Sequence, residues 1–525
     1  MKKIFLTIIL LAAFVVSFNS CKKSELERIY PDPSKTSTAS IENFMTGVFQ
    51  SANDYTMPWY WKLFVVENST MGHYTQVYGW LNANDQYLPS SAAQEDRWKA
   101  YFTGVMWQYR EMQRLYNLAS TQEQTDKRIF MIAATIFFYD QSEQIVDTWS
   151  DIPWSKAGML KTNDGDLTAS LPSYDKAEDI YTAMLDDLKN IADELNTIQV
   201  SSVYQGVFAN KDYINDGDIT AWKKYCNSLR LRMLTRVSGA SAFSSRAASE
   251  ISAILGNSSA YPVIDNNVEN VDLDCKGPDL TSNKDQNIQN GLETWGTQNY
   301  APKAMCDFMN ANNDPRMAVF FDPNKNGEYL GIDPMANSAT QEAFVNDALV
   351  ARWDSATFSR NDNVPGLLIT AAEVSFIKAE AFSKGWATGD AKDAYETGVR
   401  QSIELFYYIN SMGGFREPLN PPSVSDISAY LNEADVTWTG NTDKMNLIGT
   451  QKWINFNILQ MPQGWAEIRR IKKPVLNFME DNSSPLTKPP TRFTYVSGEK
   501  TLNSANYAAV SAKDTYTTKI FWDVN

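Results

Sequence analysis

The 525-residue chain carries one histidine, His73, and that alone narrows the chemistry open to it. A His-rich metal centre or a His-Glu-x-x-His zinc helix needs at least two imidazoles at fixed spacing, so neither can be assembled. A serine triad would have to recruit His73, whose polar, aromatic surroundings read as an exposed loop. There is no Cys-x-x-Cys pair, no Walker loop, no dinucleotide fingerprint and no Gly-x-Ser-x-Gly elbow. The 62 acidic residues offer many carboxylate pairs, and because the separation a glycosidase needs is spatial, hydrolysis by such a pair stays open. The loop Asp322-Pro-Asn324-Lys-Asn326-Gly327 partly copies a calcium loop, but it lacks the closing Glu and has Asn at two carboxylate places. It reads as a turn, and no cofactor or metal is expected.

Aromatic side chains carry more information. Trp59, Tyr60, Trp61, Tyr74, Tyr78, Trp80 and Tyr87 crowd one polar, poorly periodic stretch, and Trp295, Tyr300 and Trp353 lie in two others. Flat rings stack on sugar faces, and amides or carboxylates beside them bind hydroxyls. The expected ligand site therefore joins the loops 52–95 and 256–300. Trp61, Tyr78, Trp80, Trp295 and Tyr300 would stack, with Asn82, Asn84 and Asp85 as hydroxyl partners. The competing reading of each ring is a buried packing residue.

The elements that must position these loops are mainly helices. Residues 174–195 repeat apolar side chains at three- and four-residue spacing against an acidic face, with Asp175 and Glu178 resembling a capping pair. Residues 368–384 form a second stripe, with Glu380 and Lys384 paired along one face and Gly385 as the stop; a further helix follows at once. Similar hairpins pair 94–119 with 126–147, 174–195 with 218–237, and 423–431 with 444–459. Hairpins of this length bury their faces by stacking, which predicts an all-α helical-repeat scaffold whose long irregular loops form the ligand face.

Compartment follows from the first residues. Lys2 and Lys3 precede an apolar run from Ile4 to Phe18, too short to span a bilayer and right for a signal peptide. A small residue, Ser20, stands directly before Cys21, so Cys21 is expected to become the acylated N-terminus. The expected organisation opens with a signal peptide over 1–20 and a lipidated tether with Pro31 and Pro33 over 21–38, and length alone suggests about three domains in the chain. Cys226, Cys275 and Cys306 are too few for a disulfide scaffold. A net charge of −15 without a basic cluster argues against a nucleic-acid partner.

Several segments resemble one family in order along the chain. Trp149-Ser-Asp151-Ile-Pro153-Trp154-Ser-Lys-Ala157 is similar to a Gly-Asp-Val-Pro-Tyr-Ser-Glu-Ala motif, with Ser150 in place of Gly. Asp314-Pro315-Arg316-Met317, Ala372-Glu373-Val374, Gly464-Trp465-Ala-Glu467-Ile-Arg469-Arg470 and Thr491-Arg492-Phe493-Thr494-Tyr495 continue the match. These residues resemble the SusD/RagB outer-membrane lipoproteins, and specifically their starch-binding, outer-membrane-associating subgroup. The resemblance implies a tetratricopeptide-like core, one helical domain over 39–525 in place of the three that length suggests, and a non-enzymatic, cell-surface protein. It further implies capture of oligosaccharide and delivery to a TonB-dependent SusC-like transporter. A peptide-capturing relative and a lipid-anchored glycoside hydrolase are the alternatives.

Overall fold

A computed structural model describes residues 40–273, 288–294 and 299–525. The signal segment, the tether, Cys21, Cys275 and Trp295 lie outside the described residues. Helices dominate; the longer ones are α1 (Ile41–Ser51), α2 (Trp107–Leu118), α3 (Arg128–Trp149), α4 (Ala177–Glu194), α5 (Ile219–Val237), α6 (Ser244–Leu255), α7 (Ala371–Ser383), α8 (Ala391–Met412), α9 (Lys444–Phe456) and α10 (Met461–Ile471). They pack in pairs along the chain, α2 on α3, α4 on α5, α7 on α8 and α9 on α10, in a tetratricopeptide-like arrangement. The strands are short and pair in twos: β1 (Ile152–Pro153) with β2 (Tyr174–Asp175), β3 (Val271–Leu273) with β6 (Gly366–Ile369), and β4 (Phe321–Asp322) with β5 (Arg352–Trp353), all antiparallel. One hydrophobic cluster runs from Ile41 to Trp522.

Three of the expected hairpins form. The fourth differs: the helix packed along α9 is α10, not residues 424–430. α10 escapes apolar pattern-reading because Gln463, Glu467, Arg469 and Arg470 on its inner side are buried. Asp175 also has a different role from the one expected. It lies in β2, and its carboxylate accepts from the backbone N–H groups of Trp154 (3.0 Å) and Ser155 (2.8 Å). The start of α4 is instead served by Asp151, whose Oδ1 accepts from Ala177 N at 3.0 Å. Ser150 just before it has φ 67°, the left-handed region that glycine enters without strain, which accounts for Gly in the motif it resembles. Gly385 does end α7, with φ 69° and Trp386 N–H closing back on Ala381 O at 2.9 Å.

The helices are joined inside by ions as well as by apolar contacts. Arg232 on α5 makes a two-pronged pair with Glu373 on α7 (2.7 Å and 2.7 Å) and reaches Asp140 on α3 at 3.3 Å. One turn later Arg236 lies 3.3 Å from Asp147 on α3 and 3.3 Å from Glu467 on α10. Arg470 binds Glu380 on α7 at 2.6 Å and Glu467 at 2.8 Å, and Lys452 on α9 reaches Glu467 at 2.7 Å. All of these side chains are buried. Burial alone would raise the Glu380 carboxyl, but the Arg470 charge and hydrogen bonds outweigh it and hold the group at about 2. Glu143, one α3 turn from Asp140 and Asp147, is raised by burial and by Asp147 despite Arg232.

The stretch 52–95, read as a loop, contains a π-helix, Trp61–Gly72. It buries Lys62, Glu67 and Asn68 beside Leu63, Val66 and Met71, so no 3.6-residue apolar stripe exists to be seen. The wider turn brings residues five apart onto one side, whereas in an α-helix they diverge by about 140°. Lys62 Nζ thereby lies 3.7 Å from Glu67. Two buried indoles hold the segment that follows: Trp453 donates to Thr75 O (2.7 Å) and Trp353 to Val77 O (2.9 Å). Cys226 and Cys306 are buried free thiols. The 322–327 loop is a turn as expected, with Asn324 Oδ1 accepting from the N–H groups of Asn326 and Glu328, each at 2.9 Å.

Two outcomes follow from the buried charges. Arg232→Ala leaves Asp140 and Glu373 uncompensated and should cost about 3–5 kcal/mol in urea unfolding, whereas Lys189→Ala, which removes the exposed Lys189–Asp193 pair, should cost under about 1 kcal/mol. Burial pushes the Glu67 carboxyl up to about 7 although Lys62 opposes it. Its proton is therefore held more tightly in the folded than in the unfolded state, and stability falls as pH rises from about 4.5 through about 7. Glu67→Gln should remove part of that loss, up to about 3 kcal/mol, when unfolding at pH 5 and pH 8 is compared with wild type.

Candidate ligand-binding face

Chain direction after Met57 determines where aromatic rings reach the surface. Gly366 in β6 sits against Thr56 and Met57, where an added Cβ would stand 3.0 Å from Thr56 C and 2.9 Å from Met57 Sδ. Trp59, Tyr60 and Trp61 then lead into the π-helix with their rings partly outside. Tyr60 stacks on Phe64 (centroids 5.6 Å, 24° between planes), and Trp61 stands edge-on to Tyr60 at 6.3 Å. The Trp61 indole N–H donates to Asp96 at 2.5 Å and that of Trp59 to Asp54 O at 2.6 Å. With those donors satisfied, Trp61, which is 37% exposed, offers an apolar ring to solvent at little polar cost.

The short π-turn Asn290–Thr294 continues this shelf. Gly291 lies against the Tyr60 backbone, and Glu293 takes a two-pronged pair from Arg360 (3.0 Å and 2.8 Å). Burial acts to raise the Glu293 carboxyl, but bonds from Arg360, Ser359 and Gln289 bring it below the usual range. The Arg360 guanidinium lies 4.4 Å over the ring of Phe415, which is 44% exposed, and Arg416 approaches the same ring at 5.9 Å. Arg416 in turn bonds Asp322 at 2.7 Å and Asp354. Burial and the neighbouring Asp322 raise the Asp354 carboxyl. Contacts thus run from Trp61 through Tyr60, Gly291 and Glu293 to Arg360 and Phe415.

Only part of the sequence-predicted site lies on this surface. Tyr78 is fully buried and meets Trp353 edge-on at 6.4 Å. Trp80, 2% exposed, stacks on the His73 imidazole at 4.6 Å and donates to Gln86 Oε1 at 3.0 Å. Tyr300 is buried, bridged through its carbonyl to Gly79 N–H at 2.8 Å and covered by Arg352 at 4.8 Å. In this structure these three rings pack and present no open face. Asn82 is half-buried, its amide donating to Pro334 O (2.9 Å) and Ala336 O (2.8 Å). Asn84 and Asp85 are exposed, and Trp295 lies outside the described residues. His73 is not the exposed loop residue expected: it is buried under Trp80, and burial lowers its pKa to about 4 despite a hydrogen bond with Gln86 O. Phe64, Arg360 and Phe415 were missed. Phe415 follows Gly413 and Gly414 in an aperiodic stretch, and nothing in the sequence ties it to Arg360.

A family model described as "Starch-binding associating with outer membrane" matches residues 33–496. The chain belongs to this SusD-like family. Solved structures share the fold. A chitin-binding protein is 21% identical with TM-score 0.72, covering 93% of this chain and 100% of its own. A SusD homologue from Bacteroides fragilis is 17% identical with TM-score 0.73, covering 93% and 100%. A SusD-like protein from Bacteroides thetaiotaomicron is 23% identical with TM-score 0.68, covering 92% and 98%. No curated protein matches the chain.

Stability measurements separate the two kinds of aromatic. Trp80→Ala should lose about 3–5 kcal/mol as a packed ring, and Trp61→Ala should stay within about 1 kcal/mol of wild type in the same urea titration.

Proposed function

We propose that this protein captures oligosaccharide at the cell surface and delivers it to a TonB-dependent, SusC-like outer-membrane barrel, held to the membrane by a lipid on Cys21. The observation that carries the glycan reading is the shelf itself. An exposed indole and a stacked Tyr–Phe pair stand beside planar, hydrogen-bonded Arg and Glu groups, the combination that suits a sugar with apolar faces and a hydroxyl rim. The family description supports a starch-like ligand, and the chitin-binding neighbour adds β-linked amino sugars to the classes worth testing. No described helix is long and apolar enough to cross a membrane. Attachment through Cys21 rests instead on its place directly after the signal segment, and firm anchoring there needs more than one acyl chain.

Calorimetry with malto-oligosaccharides, chito-oligosaccharides and short peptides tests the reading. At least one glycan series should bind, and Trp61→Ala should weaken it about fivefold or more with the fold intact. Mild-detergent pull-down of the native protein should bring down an outer-membrane barrel, because a lid on such a barrel buries on the order of 2,000 Å². Binding of peptides alone would transfer the scaffold to the peptide-capturing reading, and absence of any barrel would remove the delivery step.

A further inference from the structure

On the reading given above Cys21 carries the lipid, and residues 22–39 join it to Ser40, whose hydroxyl caps α1 by accepting from Asn43 N–H at 3.2 Å. That length of chain reaches at most about 65 Å. A globular body of this size has a radius of about 30 Å, so the pole opposite Ser40 lies about 90 Å away over the surface. A lipid on Cys21 therefore keeps the half of the protein around Ser40 toward the membrane.

What that half presents is set by α2, which runs antiparallel to α1. An added Cβ on Gly47 would stand 2.8 Å from Gln108 Oε1, and one on Gly104, just before α2, 3.2 Å from Ser51 Cβ. The start of α1 is thus level with the end of α2, where Leu118 is 73% exposed. Trp107 precedes Leu118 by three turns and points about 20° away from it, so the two share one face with Glu111 and Arg114. Trp107, 38% exposed, meets Phe44 of α1 edge-on at 6.2 Å. The turn after Ala157 extends this face. Gly158 packs against Arg110, where an added Cβ would stand 2.9 Å from Cγ, and Lys161 reaches Glu111 at 3.1 Å and lies 5.7 Å over the Trp107 ring. Leu160, beside Lys161, is 42% exposed.

The chemistry of this face suits the boundary between hydrocarbon and water. Trp59 and Trp61 use their indole N–H groups inside the protein, whereas that of Trp107 has no acceptor among the described residues. An indole with a free polar edge, flanked by two exposed leucines and by cations, is the side-chain set that settles at headgroup depth. Charge permits the contact. Arg110, Arg114 and Lys161 offset Glu111 and, farther along the same turn, Asp164 and Asp166, on a chain whose net charge is −15. Anionic headgroups that repel the acidic protein as a whole repel this side least. The contact need not be strong, because the anchor holds it near the bilayer and raises its effective concentration.

We propose that Trp107, Leu118 and Leu160 form a membrane-resting face, which lies on the lipid surface and fixes how the anchored protein is oriented above it. The proposal rests on the Cys21 reading, and the test separates the two. The mature chain carrying Cys21→Ser, which has no acyl chain, is sedimented with vesicles of phosphatidylethanolamine and phosphatidylglycerol in about a 3:1 ratio. It should be half bound at about millimolar lipid. Leu118→Glu with Leu160→Glu should weaken that partition about tenfold, with an unchanged thermal melt because both side chains are exposed. Val424→Glu, at an exposed apolar position on the helix 424–430, should stay within about twofold. Equal partition of the double variant and its parent, or a parent that stays in the supernatant at every lipid concentration, would overturn the membrane face with the anchor standing. Mass spectrometry of the N-terminal peptide from native membranes reads the anchor itself, and a peptide without acyl chains would overturn the Cys21 reading and the tether argument built on it.

Discussion

Two guanidinium groups sealed inside the helical stack set the terms for everything around them. Arg232 and Arg236 stand one turn apart on α5, and between them they engage α3, α7 and α10. A buried charge without partners costs several kcal/mol, so each helix that brings a carboxylate is constrained in rotation and height at once. Apolar packing tolerates a slipped turn; a two-pronged Arg–carboxylate contact does not. The pairs add little net stability against well-packed hydrophobic residues, but they specify one arrangement of elements distant in sequence. Tyr225 and Tyr181 add further bonds, donating to Asp140 and Asp147 at 2.6 Å each.

That same device limited what pattern-reading could find. Helices whose inner faces are apolar, such as α4 and α8, were visible from spacing, and Gly385 marked an end because its φ is positive. α10 and the π-helix were not, because their inner faces carry Glu467, Arg470, Lys62 and Glu67, which read as solvent-facing. Motif resemblance recovered part of this, since Glu373, Glu467 and Arg470 lie in the segments that carry it. The rings divided for a related reason. Trp61, Tyr78 and Trp80 share composition and neighbourhood, and only the path of the chain decides which one ends outside. Trp80 found a stacking partner in the one histidine, a contact that spacing alone does not reveal.

The aromatic shelf stands on a buried, charged base. Its base is the buried Lys62–Glu67 side of the π-helix, and Lys62 Nζ also lies 3.4 Å from Thr56 O and 3.5 Å from Leu459 O. The segment that presents the rings is thus tied to the core immediately behind them. On the glycan reading proposed above, a surface tied down in this way would lose little side-chain freedom on binding, which is what a weakly hydrophobic ligand such as a sugar requires for useful affinity.

The indole bonds from Trp453 and Trp353 to Thr75 O and Val77 O have an evolutionary meaning. Both bonds recognise main-chain carbonyls, which every amino acid supplies. The scaffold therefore grips this stretch by its backbone, whatever side chains stand at positions 75 and 77. Those two side chains are themselves buried, so substitution there is limited by packing and not by the grip.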